Sequence, residues 1–416
     1  MGAAVAFVNL GCRVNRVEID LIASELLRAG CRRVEPGEAD AIVVNSCAVT
    51  GEAEAKTRKL LRHMSSLPHA PLVCATGCVV SLFADELRDI APNVLVEPQK
   101  SRVARLVLDE LGVHEGAVDD SGQLVLTPTA TGRCRPGIKI QDGCDNRCSY
   151  CIVWKARGPA RSLAADKVVE SVREAAAAGG REVVLTGINL GSYRSDDLCL
   201  PDLLELLMGE TEVGRVRLGS IEPPDVTQAL LEVMARHEER IAPFLHVCLQ
   251  SGCDSTLARM GRVYDSRQYR KIVSAARKAL PRLALGTDLI VGFPGETDEE
   301  FERGLAFCRD MRFAKMHVFR YSKRPGTPAA KAPDQVPPQL MAERSRRLRS
   351  LAREMRHASA LECVGRRELA LVQGGGRGVT GGLFDVALDP SLAVDTLVHV
   401  TPTSVLEDGT LVALRA

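Results

Sequence analysis

Short apolar runs alternate with stretches of helical periodicity along most of this chain. Residues 5–10, 41–44 and 72–75 read as strands, and each runs into a small or polar residue followed by Cys. Between them, 18–29 and 52–64 carry apolar residues at three- and four-residue steps, the spacing of an amphipathic helix. Strands joined through helices in one sheet run parallel, so their C-terminal ends share an edge. Ligands usually bind along that edge.

The alternation weakens over 116–133, a stretch rich in Gly, Asp, Ser and Thr that reads as a linker. It then resumes, with strand-like runs at 138–141, 182–186, 216–219, 245–249, 285–291 and 316–321. The helical stretches between them are 166–178, 201–210, 226–236, 266–280 and 298–312. Six such units predict a full or partial parallel barrel with its active face at the strand C-termini. An Arg-rich helix follows at 340–361. Residues 368–416 are strand-like, with glycine turns at Gly374-Gly375-Gly376 and Gly381-Gly382. The expected fold is α/β: an N-terminal parallel-sheet domain (1–115), the linker (116–133), a partial (β/α)6 barrel (134–356) and a small β-domain (357–416).

Composition narrows the class. With 416 residues, 45% hydrophobic and 26% charged, the chain is an ordinary globular one. No apolar run approaches the ~20 residues of a membrane span, and the first residues lack a basic signal region, so cytoplasm is the expected compartment. There, fourteen Cys point to metal binding or reactive thiols rather than disulfides. The net charge of +1 conceals a basic stretch: residues 339–369 hold eight Arg against four Glu. That stretch suits a solvated helix face or a nucleic-acid contact equally.

The densest chemistry is Cys144-Asp145-Asn146-Arg147-Cys148-Ser149-Tyr150-Cys151, just past the first barrel strand. Three thiolates this close suit zinc, copper(I) or an iron–sulfur cluster. Structural zinc wants a fourth ligand nearby, whereas a 4Fe–4S cube with one open iron is complete with three. A second trio follows from topology: Cys12, Cys47 and Cys78 end three parallel strands and should converge, although buried packing is the competing reading. Cys74 lies inside its strand and, with Cys31, Cys134, Cys199, Cys308 and Cys363, reads as packing or incidental. Other barrel strand ends carry polar, backbone-exposing loops. These are Gly187 to Asn189, Ser220 to Glu222, Gln250-Ser251-Gly252, and Asp288 running into Gly292-Phe293-Pro294-Gly295.

The Cys144, Cys148, Cys151 spacing, with Tyr150 before the last Cys, resembles the radical S-adenosylmethionine (SAM) superfamily. The likeness extends to the methylthiotransferases through Arg157-Gly158-Pro159-Ala160-Arg161-Ser162, Leu249-Gln250-Ser251-Gly252, Met260-Gly261-Arg262-Val263-Tyr264 and the run from Asp288 to Thr297. Tyr321-Ser322, Leu10-Gly11-Cys12, Asn45-Ser46-Cys47 and Thr76-Gly77-Cys78 are similar again. The resemblance implies two 4Fe–4S clusters, one on Cys144, Cys148 and Cys151 that binds SAM, and an auxiliary one on Cys12, Cys47 and Cys78 that delivers sulfur. It also implies a C-terminal TRAM-like β-domain. Tyr150, Gly187, Asn189, Ser220, Glu222, Gln250, Arg262 and Asp288 become the candidates for holding SAM.

The tripeptide Arg13-Val14-Asn15 resembles the branch acting on threonylcarbamoyladenosine in tRNA. The reaction implied is methylthio insertion at C2 of that base, at position 37. The same chemistry on isopentenyladenosine or on a ribosomal-protein aspartate is the alternative, and a structural zinc RNA-binding protein a remote one. Implied partners are the tRNA anticodon stem-loop, a flavodoxin- or ferredoxin-like electron donor and a sulfur source, with no membrane. Arg13, Arg58, Arg62 and the 344–356 helix are candidate RNA contacts. Cys248 and Cys253 depart from the family pattern and read as small packing residues.

Overall fold

The computed structural model describes residues 2–113 and 134–413. The expected linker lies outside the described residues.

The N-terminal sheet comprises β1 (Ala4–Asn9), β2 (Arg32–Arg33), β3 (Ala41–Ser46), β4 (Leu72–Gly77) and β5 (Val94–Val96). It is wholly parallel, in the order β2-β1-β3-β4-β5. β3 is buried at every position because helices cover both faces. Helices α1 (Arg13–Arg28), α2 (Gly51–Ser65) and α3 (Cys78–Arg88) begin right after the three central strands. In α2 the Thr50 side chain accepts the Ala53 N–H and caps the helix.

Six strands then build the barrel in consecutive order. Gly137–Lys139, Glu182–Thr186 and Arg215–Leu218 form one parallel sheet. The chain continues through Gly219 into Ser220–Ile221, which pairs with Phe244–Val247, Ala284–Val291 and Lys315–Arg320. Among the described residues the first and last strands each pair on one side only, so the barrel is partial and open laterally. Helices such as Ala165–Ala177 and Ser266–Ala279 pack outside it around one large apolar core. The periodicity located all six strands to within two residues; the ends moved because turn and ladder hydrogen bonds, not hydrophobicity, set them.

The helix Pro338–Leu361 is continuous and leads into a six-stranded β-domain. The domain closes the strand N-termini: Phe244, Ala284 and Ala314 pack with Leu371, Leu383 and Phe384. Beside them, buried Glu182 binds both Arg215 and Arg217, whose guanidinium groups donate to the carbonyls of Leu369, Thr380 and Gly381. Burial disfavours the charged Glu182, yet the two arginines hold its pKa below the usual range. Glu182→Gln leaves two buried cations short of a counter-charge. It should cost about 3–5 kcal/mol in urea unfolding and loosen the β-domain.

Candidate active site

β1, β3 and β4 are neighbours, and Cys12, Cys47 and Cys78 follow their C-terminal ends. The three thiols are near enough to act on one another electrostatically. Polar side chains between the strands fix this edge. The Asn15 amide donates to Asn45 Oδ1 and the Ser46 carbonyl, Asn45 donates back to the Asn15 carbonyl, and the Cys12 thiol donates to Asn15 Oδ1. Gly77 is required here. Its φ is +98°, and a Cβ would lie 2.3 Å from Asn45 Oδ1.

The other trio sits on the loop after Gly137–Lys139. The turn at Gly261 clamps this loop: Ser149 N–H donates to the Met260 carbonyl and Ser149 Oγ to the Arg259 carbonyl. Arg262 Nη1 reaches Cys148 Sγ at 3.0 Å, and the same guanidinium pairs with Glu222 and the Tyr264 hydroxyl. Tyr150, Phe293 and Tyr321 form a chain of edge-to-face rings above the loop.

Burial pushes both Cys47 and Cys151 up to about 11. As free thiols they would stay protonated and inert at neutral pH, whereas a metal centre deprotonates a coordinating thiol outright. Among the described residues, neither cysteine trio has its sulfurs all within 4.8 Å. One tetrahedral ion with Zn–S bonds of about 2.3 Å would hold them nearer, to within about 4 Å. The spread and the missing fourth ligand fit a larger cluster.

A single five-residue helix, Val153–Arg157, ties the two trios together. Cys151 precedes it by two residues. Arg157 at its far end makes two bonds to Glu18 of α1 (2.8 and 3.2 Å) and others to Asp142 (2.9 Å) and Asn15 (3.3 Å). Arg157 also acts electrostatically on Cys12, Cys47 and Cys78. Burial opposes ionisation of Glu18 and Asp142, but Arg157 and Lys139 hold both below the usual carboxylate range.

These features decide the family. The radical SAM superfamily pattern matches residues 138–308, and that of uncharacterized protein family UPF0004 matches 4–96. The chain is 34% identical over 375 residues to threonylcarbamoyladenosine tRNA methylthiotransferase MtaB of Thermotoga maritima, covering 89% of this chain and 86% of the relative. It is 35% identical over 426 residues to ribosomal protein uS12 methylthiotransferase RimO of Desulforudis audaxviator, covering 99% and 94%. The chain belongs to the radical SAM methylthiotransferases. As such a methylthiotransferase it uses SAM and two 4Fe–4S clusters. In fold it is similar to the radical SAM methyltransferase TsrM from Kitasatospora setae, with TM-score 0.58 and 15% identity over 79% of this chain and 75% of that one.

The methylthiotransferase's candidate SAM residues divide. Glu222 and Arg262 stand beside Cys148. Ser220 lies by buried Cys248, whose thiol burial pushes far up, in keeping with packing. Gln250 has a positive φ of 67°, rare outside glycine, and its backbone bridges Asp288 and Ile290. The loop holding Gly187 and Asn189 hangs on Gln141, whose Oε1 accepts from Ile188 N–H and Asn189 N–H. The Asn189 side chain is used locally, donating to Asp225 and accepting from Gly191 N–H.

Asp288 is engaged from two sides. Its Oδ1 lies 3.1 Å from His246 Nε2 and 3.0 Å from His317 Nδ1. Burial raises its pKa, but the two histidines more than offset this and hold it well below the usual range. Gly286 makes room for the arrangement, since a Cβ there would lie 2.7 Å from the Phe244 ring and 3.0 Å from His246 Nδ1. Neither histidine was singled out from the sequence; one register links them, and strand pairing is not visible there.

The arginines expected to hold RNA are largely occupied. Arg344 is buried against Glu296 and Asp298, Arg347 pairs with Glu302, Arg356 with Asp385, and Arg58 with Glu54 and Glu86. Much of that basic helix face is therefore engaged in ion pairs and hydrogen bonds within the chain. Arg13, Arg62, Arg346 and Arg353 remain exposed. Among the described residues, no helix is long and apolar enough to cross a membrane.

Proposed function

We propose that this methylthiotransferase inserts a methylthio group at C2 of N6-threonylcarbamoyladenosine at position 37 of tRNA, in the cytoplasm. Support comes from relatives of Thermotoga maritima and Bacillus subtilis, at 34% and 36% identity, both named for that nucleoside. The observation carrying the chemistry is the pair of cysteine trios fixed to one short helix through Arg157. When bound, the two clusters and SAM supply the radical and the sulfur.

In this reading Cys144, Cys148 and Cys151 hold the cluster that binds SAM, and Cys12, Cys47 and Cys78 hold the auxiliary cluster. Arg262 offsets negative charge at Cys148 and orients Glu222 toward the SAM site. Tyr150 packs on the adenine of SAM. Gly187, Asn189, Ser220, Gln250 and Asp288 form the rest of the rim. Gln141 keeps the Asn189 loop in place, and the β-domain floor keeps bulk water from the strand N-termini. The target base must leave its stack to reach such a cavity. A flavodoxin- or ferredoxin-like protein supplies electrons, and a separate sulfur source reloads the auxiliary cluster.

Nucleoside mass spectrometry of tRNA from a deletion strain tests the substrate. Loss of 2-methylthio-N6-threonylcarbamoyladenosine, restored by the intact gene, is expected. Its unchanged presence in the deletion strain would refute the assignment.

A further inference from the structure

The last barrel strand, Lys315–Arg320, presents an inner face of which the SAM-site interactions above use His317 alone, through Asp288. Its register pairs Gly286 with Lys315, Asp288 with His317 and Ile290 with Phe319. Asp288 engages the two histidines, and Ile290 packs toward Tyr150 and Phe293, so this row faces the cavity. Paired residues in a sheet share a face. Lys315, His317 and Phe319 therefore look the same way, while Val318 and Met316 pack into the apolar core behind. The strand is an edge strand and borders the lateral opening.

Three features of this face have no internal explanation. Phe319 is a large aromatic left 40% exposed, and among the described residues no ring packs on it. Lys315 and Arg13 make no hydrogen bond or ion pair among the described residues. Arg135, just before the opposite edge strand, has Glu182 at 4.0 Å, which already serves Arg215 and Arg217, and also feels Asp385, which is paired with Arg356. Arg13 adjoins Cys12; burial and the nearby charges of Arg217 and Arg135 disfavour its cation, while Asp288 favours it. Burial, together with Arg356, Arg13 and Arg135, pushes Lys315 down to about 8, and Asp385, the carboxylate acting on it, is paired with Arg356. Cations crowded together, whose nearby carboxylates are already shared with other partners, favour an incoming anion.

We propose that this face reads the modified base: Phe319 stacks on the flipped purine, and Lys315 with Arg13 and Arg135 pairs with a carboxylate on its N6 substituent. The inference rests on the substrate reading above. A threonylcarbamoyl group carries a free carboxylate, whereas a dimethylallyl group is apolar and would leave these cations desolvated and unpaired. Exposed aromatics commonly stack on unpaired bases, each worth about 1–3 kcal/mol.

The test uses the reconstituted full-length enzyme and two anticodon stem-loop RNAs. One carries N6-threonylcarbamoyladenosine, the other its carboxyl methyl ester. Wild type should prefer the free acid by about 10- to 100-fold in kcat/KM, the scale of one charge-assisted hydrogen bond. The double variant Arg13→Gln, Lys315→Met should lose that preference to within about threefold, and Lys315→Arg should keep it. Phe319→Leu should raise KM for both RNAs by about tenfold and leave the ratio intact. Activity of the wild type on neither RNA overturns the substrate reading and this inference together. Activity on both, with a preference unchanged in the double variant, overturns this inference alone.

Discussion

Cys47→Ala is expected to cleave SAM at close to the wild-type rate while losing methylthio transfer altogether. Cys47 follows the central strand β3 and lies 7% exposed among Cys12 and Cys78, its two thiol neighbours. The thiols acting on it are those of Cys12 and Cys78. The 144–151 loop is held by its own contacts with Met260, Arg259 and Arg262. On the proposed assignment, one ligand of three is lost from the auxiliary cluster, and the other cluster is untouched. Replacing the thiol by hydrogen in a buried site removes roughly 1 kcal/mol of packing, too little to unfold the chain. Chromatography of 5′-deoxyadenosine and mass spectrometry of the nucleoside separate the two half-reactions. Loss of both in a folded variant would contradict the division of labour.

Arg157→Met should be the most damaging single change outside the cysteines. Arg157 is 6% exposed, and its guanidinium holds two buried carboxylates, Glu18 and Asp142, from two different parts of the fold. Methionine fills most of the volume but leaves both charges underpaired, with Lys139, Lys100 and Arg161 as partial substitutes. Breaking a buried pair from one side costs about 3–5 kcal/mol. α1 would also shift relative to the barrel, taking Cys12 and Asn15 with it. A displacement of about 1 Å between reacting groups can cost roughly 100-fold in rate, so transfer should fall further than SAM cleavage. The pH dependence has a fixed sign. Because Glu18 and Asp142 have folded pKa values below their unfolded ones, their stabilisation is complete above about pH 5 and is lost as pH falls through the folded values. The wild type should therefore lose stability below about pH 4 more steeply than Arg157→Met. Equal acid slopes in urea titrations would contradict this.

What the sequence revealed depended on the range of the interaction. Cys12, Cys47 and Cys78 could be brought together from sequence because parallel topology converts strand ends into neighbours. The 144–151 loop was legible because its three cysteines are local. Arg157 and Glu18 are 139 residues apart and meet only because α1 lies against the first barrel strand. The His246, Asp288, His317 group depends on the register of three strands, which a hydrophobic pattern leaves free by two-residue steps. The arginines of Pro338–Leu361 looked like a charged surface, since nothing in the sequence marks Glu296 and Asp298 as partners of Arg344.

The central claim is that two separate cysteine trios act on one tRNA base. It is tested most directly by anaerobic reconstitution with iron and sulfide, followed by reaction with SAM, a reductant and tRNA bearing N6-threonylcarbamoyladenosine. About eight irons per chain, four per cluster on two clusters, broad absorption near 400 nm, and appearance of the 2-methylthio nucleoside are expected. Uptake of zinc in place of iron, or a loaded protein that leaves that nucleoside unmodified, would contradict it.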